Sequence, residues 1–262
     1  MTTPVLSIIT VCFQAKEAVL TTIENILQQS WIDFEYLIID GASDDGTIEL
    51  LESKIPFFEQ KEIPFRYISE PDQGIYDAMN KGSKLAQGQW LLFLNAGDVL
   101  VSPDVLKNIF SSSSGADVIY GDTICTYQGQ QKYYPALPLE NLRYEMAFCH
   151  QSVFIRREHT LRHPYDTSYR VCADHRLFLS LYLEGKTFDY RAIPVSLYEI
   201  AGYSDRNILP AHKEQLRMQK ELGIFRISPK WLIRECIFYA KQGIKGLFGQ
   251  RLIDMVRKKR LH

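Results

Sequence analysis

The 262-residue chain (30.3 kDa) carries 46% hydrophobic, 12% aromatic and 23% charged residues, the composition of an ordinary globular protein. That apolar fraction, with no internal repeat and no run approaching about 20 apolar residues, excludes a disordered, collagenous, coiled-coil or membrane-spanning chain. The net charge of −1 divides unevenly: ten Lys/Arg against Glu235 and Asp254 put +8 on the residues from Arg226 onward, while twenty Lys/Arg against twenty-nine Asp/Glu leave −9 on the first 225.

In chain order, Val5 to Val11 is a continuous apolar run of the kind that forms a strand buried on both faces. Glu17 to Gln29 places Val19, Leu20, Ile23, Ile26 and Leu27 at helical spacing, and Phe34 to Ile39 predicts a second buried strand. A short helix over Thr47 to Lys54 and a third strand over Pro64 to Ile68 follow. Tyr76 to Ala86 reads as a helix stopped by Gly88, and Trp90 to Leu94 as a fourth strand. Asp117 to Tyr120 is a fifth. This alternation predicts a mostly parallel, Rossmann-like sheet with right-handed crossovers and helices on both faces. Beyond it, Ile124 to Tyr127 and Gln131 to Tyr134 flank Gln128-Gly129-Gln130 as a hairpin with a three-residue loop. Strands over Gln151 to Arg156, Thr187 to Tyr190 and Val195 to Glu199 surround a helix from Val171 to Glu184, and the remainder is helical. The expected organisation is an α/β domain over 1–225, split into halves at 120/121, with a basic amphipathic helical tail over 226–262.

Four of the predicted strands end in unusual polar clusters: Cys12-Phe13-Gln14, then Asp40 to Thr47, then Glu70 to Gly74, then Asn95-Ala96-Gly97-Asp98. In a parallel sheet all four lie on one edge, where ligands bind. Singly, each is an ordinary turn or cap, and Asp45 or Thr47 reads as the cap of the following helix. Other chemistries lack their marks: there is no G-x-G-x-x-G after the first strand and no Walker A loop. The His159-Thr-Leu-Arg-His163 pair has chelating spacing but lacks the Glu of H-E-x-x-H and is expected to be a surface segment. Five cysteines (12, 125, 149, 172 and 236) with no C-x-x-C pair speak for a reduced, cytoplasmic setting, and Met-Thr-Thr-Pro lacks the basic region of a secretory leader.

The segments IIDGASDDGT (38–47), EPDQGIYDAMNKG (70–82) and GQWLLFLNAGD (88–98) resemble glycosyltransferase family 2 with its GT-A fold, in the style of bacterial exopolysaccharide enzymes of the colanic acid type. HQSVFIRR (150–157), YRVCADHRLFLSLYLEG (169–185) and AGYSD (201–205) continue the likeness. The resemblance implies an inverting transfer from a nucleotide-diphosphate sugar, UDP-linked by expectation, to a saccharide or lipid-linked acceptor in cell-envelope polysaccharide synthesis. It places Phe13 under the base, Asp40 on the base N3–H, and Asp72, Asn80 and Asn95 around the nucleotide sugar. Lys81 is either a phosphate neighbour or a solvated helix residue. A divalent cation, Mg²⁺ or Mn²⁺, is implied at Asp98, with His150 as a second ligand or a substrate contact. Asn95-Ala96-Gly97-Asp98 departs from the family's D-x-D pattern, so the cation is expected to bind weakly or to be dispensable. Asp174, in Cys172-Ala173-Asp174-His175, matches the family's general base. Two alternatives stay open: a catalytically silent nucleotide-binding or scaffold relative, and a nucleotidyltransferase on a related sheet. For the latter a Gly-rich basic loop after the first strand is expected, and Cys12 to Lys16 is not one. The tail is expected to meet an anionic membrane surface on the cytoplasmic face, and no nucleic-acid partner is expected.

Overall fold

Continuous apolar strands and amphipathic helices wind the first hundred residues into a parallel sheet, as their pattern predicts. The computed structural model describes residues 3–127, 129–199, 207–227, 232–233 and 235–240. Residues 1–215 form one compact unit and 216–262 a second. In the first, β1 (Leu6–Cys12), β2 (Phe34–Asp40), β3 (Phe65–Ser69) and β4 (Trp90–Phe93) run parallel in the order β3-β2-β1-β4. The sheet continues through β8 (Val153–Arg156), β6 (Val118–Tyr127), β9 (Phe188–Glu199) and the two-residue β5 (Val99–Leu100), with β7 (Gln130–Tyr134) beside β6. β8 is antiparallel to both β4 and β6, so β6 runs in the direction of β4.

Leu6, Ile8, Tyr36, Ile38, Trp90 and Leu92 share a core with Val19, Ile23 and Ile26 of α1 (Lys16–Ile26) and with Leu51 and Phe58 of α2 (Thr47–Gln60). On the opposite face lies α3 (Ile75–Leu85), burying Ala78 and Met79. α4 (Val105–Phe110) and α5 (Arg157–Arg162) are short, and α6 (Ala173–Leu183) buries Leu177, Phe178 and Leu181. α7 spans Ile208–Glu221.

Three elements differ from expectation for physical reasons. α2 runs past Lys54 and through Pro56. An interior proline costs about 3 kcal/mol, but Phe58 beyond it is buried, stacks on Phe65 at 4.4 Å and packs tilted against Tyr36 at 5.6 Å. That burial is worth about 2–3 kcal/mol and the ring contacts about 1 kcal/mol each, enough to carry the helix onward. The two strands expected over 187–199 are one continuous β9, because register shifts opposite Asp122 absorb the interruption. In the hairpin, Tyr127 pairs with Gln130, so the loop is shorter than the three residues expected. The tail helices expected beyond residue 240 lie outside the described residues. Among those described, no helix is long and apolar enough to cross a membrane.

Candidate active site

The four strand-end clusters do converge on the carboxyl edge of β1 to β4. At the first, Phe13 leaves the sheet with its ring 62% exposed. Asp40 ends β2 fully buried, and its carboxylate accepts from the Ser43 amide (2.8 Å), the Ser43 hydroxyl (2.5 Å) and the Ser69 hydroxyl (2.6 Å), with the Cys12 thiol at 3.5 Å. It is therefore occupied in holding the 40–47 turn against β3. Burial, with Asp40 beside it, pushes the Cys12 thiol up, so it stays protonated. Asp72 lies close by: a Cβ on Gly41 would lie 2.8 Å from its Oδ2 and 3.2 Å from Cδ2 of Phe13, so ring and carboxylate both pack against this glycine. The other Asp72 oxygen accepts from the Gly74 amide at 2.7 Å. The cap of α2 is Gly46, with no side-chain cap bond, rather than Asp45 or Thr47; Asp45, one residue earlier, accepts from the Thr47 amide and hydroxyl and from the Lys16 amide.

α3 carries clamps. Asn80 makes two bonds to the Tyr165 backbone, donating to its carbonyl (2.8 Å) and accepting from its amide (2.9 Å). Lys81 pairs with Glu70 at 2.8 Å and donates to the Pro71 carbonyl at 2.8 Å, tying the 70–74 loop to the helix. Tyr76 lies one turn before Asn80 on the same face. Its buried hydroxyl meets the Val171 carbonyl at 2.7 Å and Asp174 Oδ1 at 3.1 Å.

The second pole is built where β4 ends and antiparallel β8 begins, which brings the 150–152 turn beside Asn95. Asn95 Nδ2 lies 3.2 Å from His150 Nε2, and His150 Nδ1 lies 3.4 Å from Asp174 Oδ2. These partners place the imidazole hydrogen on Nδ1, facing the carboxylate, and leave Nε2 as an acceptor. Asp174 sits in the first turn of α6, where the helix dipole favours a negative charge. Burial pushes its carboxyl up, but the hydrogen bonds from His150 and from the His175 amide outweigh this and hold it below the ordinary value. The start of α6 is itself anchored by Glu214 of α7, whose carboxylate accepts the amides of Arg170, Val171 and Cys172 at 2.7 to 2.9 Å.

Asp98 accepts from Gln151 Nε2 at 2.8 Å, and burial raises its carboxyl to about 6 in spite of that bond and of His150 nearby. Asn95 Oδ1, in the same turn, is buried with no hydrogen-bond partner. A hard cation fits the oxygens of this turn: Asp98 supplies a carboxylate and Asn95 an unused amide oxygen, whereas the His150 Nε2 lone pair already accepts from the Asn95 amide. Mg²⁺ and Mn²⁺ sites commonly use one or two carboxylates and take remaining ligands from phosphates and water. Among the described residues no three His, Cys, Asp or Glu side chains gather closely enough to form a metal cage.

The sequence profile of glycosyl transferase family 2 matches residues 7–175. The chain belongs to this family. A PGL/p-HBAD biosynthesis glycosyltransferase of Mycobacterium bovis is 32% identical over 231 residues, covering 86% of this chain and 88% of the relative. A Bacillus subtilis protein named for teichuronic acid biosynthesis, TuaG, is 30% identical over 95 residues, 36% of each chain. In fold, the chain is similar to the mannosyltransferase PcManGT from Pyrobaculum calidifontis, solved with GDP-Man and Mn²⁺ (TM-score 0.65, 15% identity, 99% of this chain and 81% of that one). It is also similar to S. aureus TarS solved with UDP (TM-score 0.64, 15% identity), where it covers 81% of this chain and 63% of TarS. The GT-A architecture expected from the sequence is thus the one present, and the protein is a glycosyltransferase.

For this family 2 enzyme, the histidine pair is the clearest correction. His159 is no surface residue: it is buried, with Nε2 2.7 Å from Asp117, whose other oxygen takes the Thr187 amide and hydroxyl at 2.8 Å each. His163 lies apart, 3.6 Å from Glu184. The Asp117 lock joins the starts of β6 and β9 to α5. Burial raises its carboxyl, yet the Thr187 and His159 hydrogen bonds prevail and bring it down to about 2. A lowered folded value means stability present above the unfolded value near 4 and lost as pH falls toward 2. The expected loss is about 2 kcal/mol over that window, absent in Asp117→Asn. Urea titrations at pH 5 and pH 2.5 check it, and identical acid sensitivity of parent and variant would contradict it.

Proposed function

We propose that this glycosyltransferase moves a sugar from a UDP-linked donor to a saccharide or lipid-linked acceptor of the cell envelope, with inversion at the anomeric carbon. The observation that carries the reading is the pairing of two poles along one sheet edge: an exposed ring and a carboxylate brought together over Gly41 at Phe13 and Asp72, then Asn95, Asp98, His150 and Asp174. At the first pole a uracil stacks on Phe13 and gives its N3–H to Asp72, while Asp40 shapes the turn beneath. Asn80 acts by clamping the 165–174 segment, and Lys81, paired with Glu70 and the Pro71 carbonyl, would meet a diphosphate by exchanging those partners. At the second pole Asp98 and Asn95 Oδ1, with His150 beside them, would hold Mg²⁺ or Mn²⁺, which neutralises charge on the departing diphosphate when bound.

Asp174 takes the proton of the acceptor hydroxyl. Donors from His150, Tyr76 and the His175 amide keep it ionised and aimed, and a base on one side with the diphosphate on the other gives in-line displacement and inversion. The names of the mycobacterial and Bacillus relatives support an envelope glycan as product. The UDP and GDP-Man complexes of the structural neighbours support a nucleotide sugar as donor. The basic tail supports docking at an anionic membrane surface. Cosedimentation with anionic vesicles at low salt, lost on truncation at Ser228, is the expected behaviour, and binding that survives truncation would contradict it. For the reaction itself, nucleoside diphosphate release is followed across UDP-, GDP- and dTDP-sugars. UDP release is expected. Pyrophosphate release from a nucleoside triphosphate, or nucleotide binding without turnover of any donor, would overturn the reading.

A further inference from the structure

β6 and β9 pair regularly from Val118 to Gly121, then slip twice, so that Asp122 faces Pro194 and Thr123 faces Ser196. Gly121 is required at the slip, since a Cβ there would come within 2.7 Å of the Ile193 carbonyl oxygen. Such bulges re-aim side chains and recur beside functional sites. Here the bulge turns Asp122 fully inward. Its carboxylate accepts the Tyr190 hydroxyl (2.8 Å), the Ala136 amide (2.8 Å) and the Tyr133 hydroxyl. One buried carboxylate thus fixes two phenols from different strands. Their rings remain open to solvent, Tyr133 at 49% and Tyr190 at 44%.

The pair stands at the catalytic edge. β6 runs with β4, and Tyr120 lies opposite Val153 at the start of β8, so Asp122 lies level with the 150–152 turn, its carbonyl accepting from the Ser152 hydroxyl at 2.9 Å. An aromatic chain links them: Tyr190 stacks on Tyr120 at 5.3 Å, and Tyr120 packs on Phe148 at 4.6 Å, two residues before His150.

We propose that Tyr133 and Tyr190 form a stacking platform for a neutral saccharide ring of the acceptor. The inference rests on the glycosyl-transfer reading above and deepens it by naming what the acceptor presents. Each phenol donates inward to Asp122, so outward it offers only oxygen lone pairs beside a ring face. Sugar O–H groups and the C–H face of a pyranose complement that surface. A phosphate or carboxylate does not, because it brings acceptors to acceptors above a buried negative charge. An alkyl chain would leave the phenolic oxygens without partners. Burial and the bond to Asp122 raise the Tyr190 hydroxyl to about 12, and the same bond raises Tyr133, so both remain donors across physiological pH.

Saturation-transfer NMR on the full chain tests this, using maltose, cellobiose and lactose, with glucose 6-phosphate as the anionic comparison and UDP affinity measured alongside. Saturation of ring C–H protons of at least one neutral disaccharide is expected. Tyr133→Ala and Tyr190→Ala should each weaken it by about threefold to tenfold, while Tyr133→Phe and Tyr190→Phe retain most of it. A parent that binds no UDP would overturn the donor reading and leave the platform to be judged on the saccharide signal. The platform is overturned if the parent binds UDP but no neutral saccharide, if glucose 6-phosphate is preferred, if the signal survives both alanine substitutions, or if the Phe variants lose as much as the Ala variants.

Discussion

Asp174→Asn is expected to lower kcat by about 10² or more while leaving UDP-sugar affinity within about twofold. The amide is close in size to the carboxylate and still accepts from Tyr76 and the His175 amide, so the start of α6 is expected to keep its form. What disappears is the group that accepts the acceptor's proton, and a positioned carboxylate contributes about 10² to 10⁴ in rate. Steady-state turnover with calorimetric donor binding separates the two effects. Turnover within about threefold of the parent would make Asp174 an anchor of the helix start, with the base elsewhere.

The second large effect concerns Asp98. In the parent, Mn²⁺ should strengthen UDP binding, and the gain should fade as pH drops below about 6, because the buried carboxyl must lose its proton before it can hold a cation. Asp98→Ala should remove the gain at every pH while leaving the metal-free affinity for UDP in place, since Phe13 and Asp72 are untouched. Calorimetry with and without Mn²⁺ at pH 5 and pH 7.5 decides this. An ion effect of equal size in parent and variant, or one indifferent to pH, would remove Asp98 from the role.

Why some of this was legible from residues alone follows from how local each cause is. The strands β1, β2 and β4 are contiguous apolar runs, and their parallel order follows from the intervening helices, so the convergence of four polar clusters could be read directly. Glycine and aspartate in 38–47 and 70–74 carry their turn chemistry with them. Asp40 shows the limit. Its type and position suit a ligand, but its bonds to Ser43 and Ser69, which arrive from two different segments, could not be read from either segment alone. Tyr76, Gln151 and Glu214 had no local signal, because each acts on a partner 42 to 98 residues away. The one available hint was Tyr76 and Asn80 at helical i, i+4 spacing within a polar motif. The absence of an H-E-x-x-H glutamate says nothing of where His159 points, because its partner Asp117 comes from just before β6, 42 residues away.

The most direct test of the account is a crystal structure of the chain soaked with UDP and Mn²⁺. The expected result is uracil on the Phe13 ring with N3–H on Asp72, Asp40 still bonded to Ser43 and Ser69, and the diphosphate beside Asp98 and Asn95 on the side facing Asp174. A base bound away from Phe13, or a diphosphate remote from the Asn95–Asp98 turn, would contradict it.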